Sequence, residues 1–358
     1  MGRKKPVREL LGIFKDKASF IKATLSAKCT TSSVQVAVLR ATTHSPTSPP
    51  PDHRITAILS LGHGTRLAAC KCIQAVMHRL HGTRSAYVVL KCLITLHNIV
   101  TRGSFMLRDQ LSFYPSAGGR NFLNLLTFSD KTNVESREFS SWARWYAGVL
   151  ERNLITSRVL GSFFSSSSSI QNNQAHKDRE ILRALLNSDL VRETDALVCM
   201  VEEICRVPDT LYNQRNDLVY EAMRLVGEDY RTTQHYIMRR LGELGDRLDG
   251  LSRGESAELA SCMKRLEDCK ERLVEMFVNR KRNVEFWDLV SQTKMKAAKL
   301  EEERGMVLVN MGRKVGEAAP SRFGKRVVEP SQSLRLLPCG GQWLDVDRVH
   351  LTVSTAIA

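Results

Sequence analysis

The side chains best placed to do chemistry in this sequence are cations rather than nucleophiles. Arg3, Lys4, Lys5, Arg8, Lys15, Lys17, Lys22 and Lys28 gather near the start, against only Glu9 and Asp16. Through the same segment Leu10, Phe14, Ala18, Ile21 and Leu25 recur at spacings of 4, 4, 3 and 4, so a helix there carries one apolar stripe beside its lysines. A basic amphipathic helix suits an anionic membrane surface, where each basic residue contributes about 1 kcal/mol. An ordinary first helix would instead pack the stripe on the core and keep its lysines wet. Packing is the expected arrangement for the stripe, and the lysines can meet lipid in either case.

Other constellations point to no reaction. Gly62-His63-Gly64 lacks a third glycine and follows a helical pattern, so it reads as a turn rather than a phosphate loop. Gly324-Lys325 has no partner glycine. His78 and His81 sit three apart at a helix end without a second ligand pair, which makes them surface or capping residues. The nine cysteines are scattered, with no CxxC, and Cys70 and Cys72 would point to different helix faces; they read as reduced, buried thiols. No metal, no cofactor and no enzymatic activity are expected. Aromatic residues are 6% of the chain and none interleave with the N-terminal cations, so no nucleic acid is expected either.

The 358-residue chain carries a net charge of +15, unevenly placed. Residues 1–160 hold 23 Lys and Arg against 8 Asp and Glu; residues 161–358 hold 30 of each. A concentrated positive field attracts a polyanion: a phosphoinositide membrane, nucleic acid or an acidic protein tail. The most apolar stretch, Tyr87–Val100, contains Lys91 and His97 and is too short to span a bilayer, and no signal peptide is apparent. The expected location is cytoplasmic, with peripheral membrane contact.

Helical periodicity dominates. After the first helix a short one begins near Val34–Leu39 and stops before the prolines of Thr43–Pro51. Others are expected from about His53 to Leu61, Arg66–Leu80, Ser85–Arg102 (apolar on nearly every face, hence central), Phe105–Phe113 and Ser136–Leu154. Beyond a Ser-rich stretch at Ser165–Ser169, one helix carries Leu190, Leu197, Val201 and Ile204. The next carries Met223 and Val226, another Ile237, Leu241, Leu244 and Leu248, and another Leu259, Cys262, Leu266, Leu273 and Phe277. The expected organisation is a basic helical part at 1–164, a linker at 165–177, longer helices at 178–310 and a mostly disordered tail at 311–358. The fold class is all-α, a solenoid-like stack of helical hairpins.

Arg40-Ala41-Thr42-Thr43-His44, followed nine residues later by His53, resembles the phosphoinositide motif of ANTH domains, the N-terminal modules of clathrin-assembly proteins. Val89–His97 resembles the central helix of that family, and Gly118–Phe122 and Trp142–Tyr146 resemble its plant branch. The likeness covers roughly residues 5–305. It implies the right-handed ENTH/ANTH superhelix, extended by longer C-terminal helices. It also implies an adaptor that binds phosphatidylinositol 4,5-bisphosphate and recruits clathrin during endocytosis. Implied partners are clathrin, SNARE cargo and heterotetrameric adaptor complexes, at coated pits, coated vesicles or the Golgi apparatus. In the family pattern a Lys opens the motif and a Lys-x-Lys-His cluster completes it. Here Arg40 replaces the first Lys and His53 matches the His, while the two cluster lysines fall on Pro50 and Asp52. Arg54 is a partial replacement, and Lys15, Lys17 and Lys22 are the supporting cations, so lipid affinity is expected to be diffuse and salt-sensitive. In the tail, Trp343, Leu344, Asp345, Val346 and Asp347 resemble a clathrin box. The alternative is a helical protein–protein scaffold without lipid specificity, or, more remotely, a nucleic-acid-binding protein.

Overall fold

The computed structural model describes residues 7–25, 29–46, 48–112, 122–163, 179–209, 216–277 and 280–315. Contacts divide the chain after Leu308, and the architecture below is that of the described residues up to that point. The fold is an all-α superhelical stack with no strand among the described residues. In chain order the helices are α1 (Val7–Leu25), α2 (Cys29–Ala41), α3 (Asp52–Leu61), α4 (Arg66–Gly82), α5 (Ala86–Arg102), α6 (Phe105–Ser112) and α7 (Val134–Val159). The longer second half contains α8 (Asn187–Cys205), α9 (Asp217–Asp246), α10 (Arg253–Asp268), α11 (Lys270–Met276) and α12 (Arg280–Val315).

Side-chain caps set several starts. Thr65 accepts from the Ala68 amide at α4, Asn133 from Ser136 at α7, and Ser252 forms a reciprocal capping box with Glu255 at α10. α5 is buried on every face from Val88 to Val100, as its apolar sequence demands. α3, α4, α6, α7 and α9 pack around it, and α8 is the corresponding hub of the second half, contacting α7, α9 and α10. The two hubs are bridged through α7 and α9 by a buried polar cluster. His97 meets the Tyr146 hydroxyl at 2.9 Å and Asp229 at 3.3 Å, while Asn153 donates to Asp229 at 2.8 Å. Burial, reinforced by the Asp229 charge, raises the Tyr146 pKa well above the usual phenol value.

The structure corrects three sequence expectations. The two helices expected around Met223 and Ile237 are one, the 30-residue α9. Tyr230, Thr233 and Gln234 are buried there and continue the inner stripe with polar atoms, which hides its continuity from an apolar count. Conversely, the pattern from Leu259 to Phe277 is divided at Cys269, which closes α10 and opens α11. At its described positions the apolar stripe of α1 does not pack on the core. Phe14 is 67% exposed and Ile21 59%, and Ala18 is exposed as well. α1 docks instead through its small and polar side: Gly12 is buried so close to His44 that an added Cβ would lie 2.8 Å from the His44 Cβ.

Candidate anion-binding surface

The segment Ala41–Pro46 joins α2 to α3, and side chains from elsewhere hold it. Arg79 on α4 donates to the Thr42 carbonyl (2.9 Å) and hydroxyl (3.2 Å). Asp16 on α1 accepts from the His44 amide at 2.9 Å, meets its Nδ1 at 2.6 Å, and pairs with Arg79 at 3.4 Å. Burial alone would raise the Asp16 pKa, but the His44 hydrogen bonds and the charges of His44 and Arg79 outweigh it and hold it below its ordinary value. From below, the ammonium of Lys91, 1% exposed in the middle of α5, donates to Ser45 O (2.8 Å) and Thr43 Oγ1 (3.2 Å). Desolvation pushes its pKa down to about 8, opposed in part by Asp16.

On this fixed loop the motif residues come together. Arg54 donates to the Arg40 carbonyl, tying the start of α3 to the end of α2. The Arg40 guanidinium lies over the Phe20 ring of α1, 5.1 Å from its centroid. Arg40 and His53 are exposed and Arg54 is half-buried. Pro50 is buried and offers nothing to a ligand. Asp52, standing where the family has a cation, is tied at 2.5 Å to Arg102 at the end of α5. That hydrogen bond and charge lower its carboxyl pKa. The anion in the motif is thus neutralised, and the Arg102 charge is engaged in doing so. Sequence spacing carries no sign of this pairing, since Arg102 is 50 residues from Asp52. The clamps Asp16, Arg79 and Lys91 escape it for the same reason.

The α1 lysines separate. At 3.6 residues per turn Lys15 and Lys17 lie about 200° apart around the helix. Lys15 faces a cleft of about 960 Å³ bounded by α1, the His44–Pro46 loop, the α4–α5 turn and the start of α7. Arg79 and Arg84 line that cleft, but so do Asp130 and Glu135, so its charge is mixed. Lys17, three residues before Phe20, is exposed toward the Arg40 side. The Lys22 side chain and the Trp343–Asp347 segment lie outside the described residues, as do residues 165–177 and most of the expected tail. Among the described residues no group of His, Cys, Asp and Glu could hold a metal, and no helix is long and apolar enough to cross a membrane.

A helical stack whose short N-terminal helices present a cation-bearing loop is the class of protein defined here: an all-α binding module. The chain belongs to the ANTH domain family, whose model matches residues 33–287. Among its relatives is an Arabidopsis thaliana protein named as a clathrin assembly protein, 41% identical over 99% of both chains. A second of that description from the same plant is 32% identical over 84% of this chain and 89% of its own, and a third is 28% identical over 80% and 97%.

Proposed function

We propose that this chain is a clathrin-assembly adaptor that docks peripherally on phosphoinositide-bearing membrane through α1 and the α2–α3 loop. The observation that carries the reading is the free apolar face of α1. Phe14 and Ile21 stand in solvent beside Lys17, on the helix that reaches Arg40 through Phe20. Apolar side chains flanked by cations fit the boundary between acyl chains and anionic headgroups. The family names of the relatives supply clathrin as the partner. SNARE cargo and heterotetrameric adaptors are further partners in this reading, and coated pits, coated vesicles and the Golgi apparatus are its compartments. Within it residues 1–164 form the lipid-facing part, 178–310 the protein-facing part, and Trp343–Asp347 a clathrin box. Loss of clathrin terminal-domain pulldown on changing Leu344 and Val346 would support the box; unchanged capture would remove it.

With Pro50 and Asp52 in the motif, the lipid contact is diffuse rather than stereospecific. Sedimentation with vesicles of phosphatidylcholine, with added phosphatidylserine or phosphatidylinositol 4,5-bisphosphate, at two salt concentrations tests this. Binding that tracks surface charge and falls steeply with salt is expected. Selective, salt-resistant binding to the phosphoinositide would overturn the diffuse contact. No binding to any vesicle would leave the protein–protein scaffold, which the Asp52–Arg102 pair favours by consuming two charges of the motif.

A further inference from the structure

Cys205 ends α8, and Cys269 stands at the break between α10 and α11. The Cys205 thiol donates to the Cys269 carbonyl oxygen at 3.8 Å, which makes the two cysteines neighbours across 64 residues of chain. Main chain holds them there: Arg272 on α11 donates to the Cys205 carbonyl at 3.1 Å and the Val207 carbonyl at 2.7 Å. Cys205 is half-buried, so a small oxidant reaches the pair from that side, while Cys269 is 9% exposed. The neighbouring Cys205 side chain lowers the Cys269 pKa against the opposing effect of burial, while the Cys269 side chain and burial raise that of Cys205. Cys72 and Cys92 differ: burial pushes both up to about 12 and keeps them inert.

We propose that Cys205 and Cys269 form a redox modification site, closed to a disulfide by a peroxide. The Cys269 thiolate attacks the peroxide; an S–O bond forms, the O–O bond breaks, and the departing hydroxide takes a proton to leave as water. The Cys205 sulfur then attacks the Cys269 sulfenic acid, the S–S bond forms, and the hydroxyl leaves with the Cys205 proton as a second water. Two thiols lose two electrons and one hydrogen peroxide gains them. The bond staples the end of α8 to the α10–α11 break across 64 residues of chain.

Full-length reduced chain is treated with hydrogen peroxide, alkylated, and digested with trypsin and a glutamate-specific protease. Cleavage after Glu202 and Glu203 separates Cys199 from Cys205. The expected results are a mass loss of about 2 Da, a Cys205–Cys269 peptide pair reversed by dithiothreitol, and a higher Tm for the oxidised chain. Cys205→Ser should lose the cross-link and the Tm shift, and should carry added oxygen on Cys269 instead. The proposal is overturned if both thiols stay open to alkylation in the oxidised, folded chain, or if a Cys199–Cys262 cross-link forms in its place. It is equally overturned if Cys205→Ser loses the same mass as the native chain. The cross-link is mapped on the native chain itself, so a variant that fails to fold does not remove the test.

Discussion

The two halves of the molecule spend their charges differently. In α8–α12 the carboxylates that pair do so with basic neighbours of the same half, apart from Asp229, which meets His97 of α5. Arg240 and Glu193 meet at 2.6 Å, both buried; Arg265 holds Asp195 at 2.5 Å and Glu202 at 2.6 Å; Arg247 holds Glu243 at 2.6 Å. In α1–α6 Asp109 pairs with Arg66, while the two carboxylates nearest the motif are consumed in building the loop. Asp16 goes to His44 and Arg79, and Asp52 to Arg102. Lys17, Arg40 and His53 are left on the surface. In the proposed reading the surplus cations make the binding surface, because the anions beside them are already engaged in holding the loop together; balanced charge becomes architecture.

That contrast can be broken from either side. Glu193→Ala leaves the Arg240 charge buried without its partner and should destabilise the fold by about 3–5 kcal/mol in urea unfolding. A loss below about 1 kcal/mol would mean that the second half does not depend on its internal pairs. Phe14→Ser with Ile21→Ser should leave stability within about 0.5 kcal/mol, since both side chains are already exposed. The same double variant should weaken vesicle binding by about tenfold or more.

Lys91 gives a signature in pH. Its folded pKa of about 8 lies below the unfolded 10.5, so the folded state binds fewer protons between those values. Its contribution to stability is complete above 10.5 and is lost as pH falls through about 8. Native chain measured against Lys91→Met should therefore gain on the order of 2 kcal/mol between pH 7 and pH 10; a flat difference would place the ammonium in water. The smallest effect is expected at Asp52. Asp52→Asn removes an exposed anion from the motif and frees Arg102, so vesicle affinity should rise by about fivefold with little change in Tm.

Much of this is legible in the sequence. The apolar run Val88–Val100 announces the central helix, the prolines after Thr43 announce the loop, and the motif around Arg40 and His53 announces the family. Three things are hidden, each for a physical reason. Tyr230, Thr233 and Gln234 bury polar atoms inside one long stripe, so α9 reads as two helices. Cys269 interrupts α10 without a proline or glycine to mark it. The clamps on the loop join residues up to 63 apart, as in Arg79 and Asp16, and no spacing rule reaches that far. The exposed stripe on α1 shows the remaining limit. Periodicity reports that one face is apolar, whereas the close approach of Gly12 to His44 decides which face turns inward.

The central claim is that the first half meets an anionic bilayer and the second does not. It is tested most directly by matched neutralisation. One variant carries Lys17→Gln, Arg40→Gln and Arg54→Gln; the other carries Arg192→Gln, Arg206→Gln and Lys299→Gln, equally many cations from the second half. Sedimentation with phosphatidylserine and phosphatidylinositol 4,5-bisphosphate vesicles should show about a hundredfold weaker binding for the first variant and native binding for the second. Equal losses in the two variants, or none in the first, would contradict it.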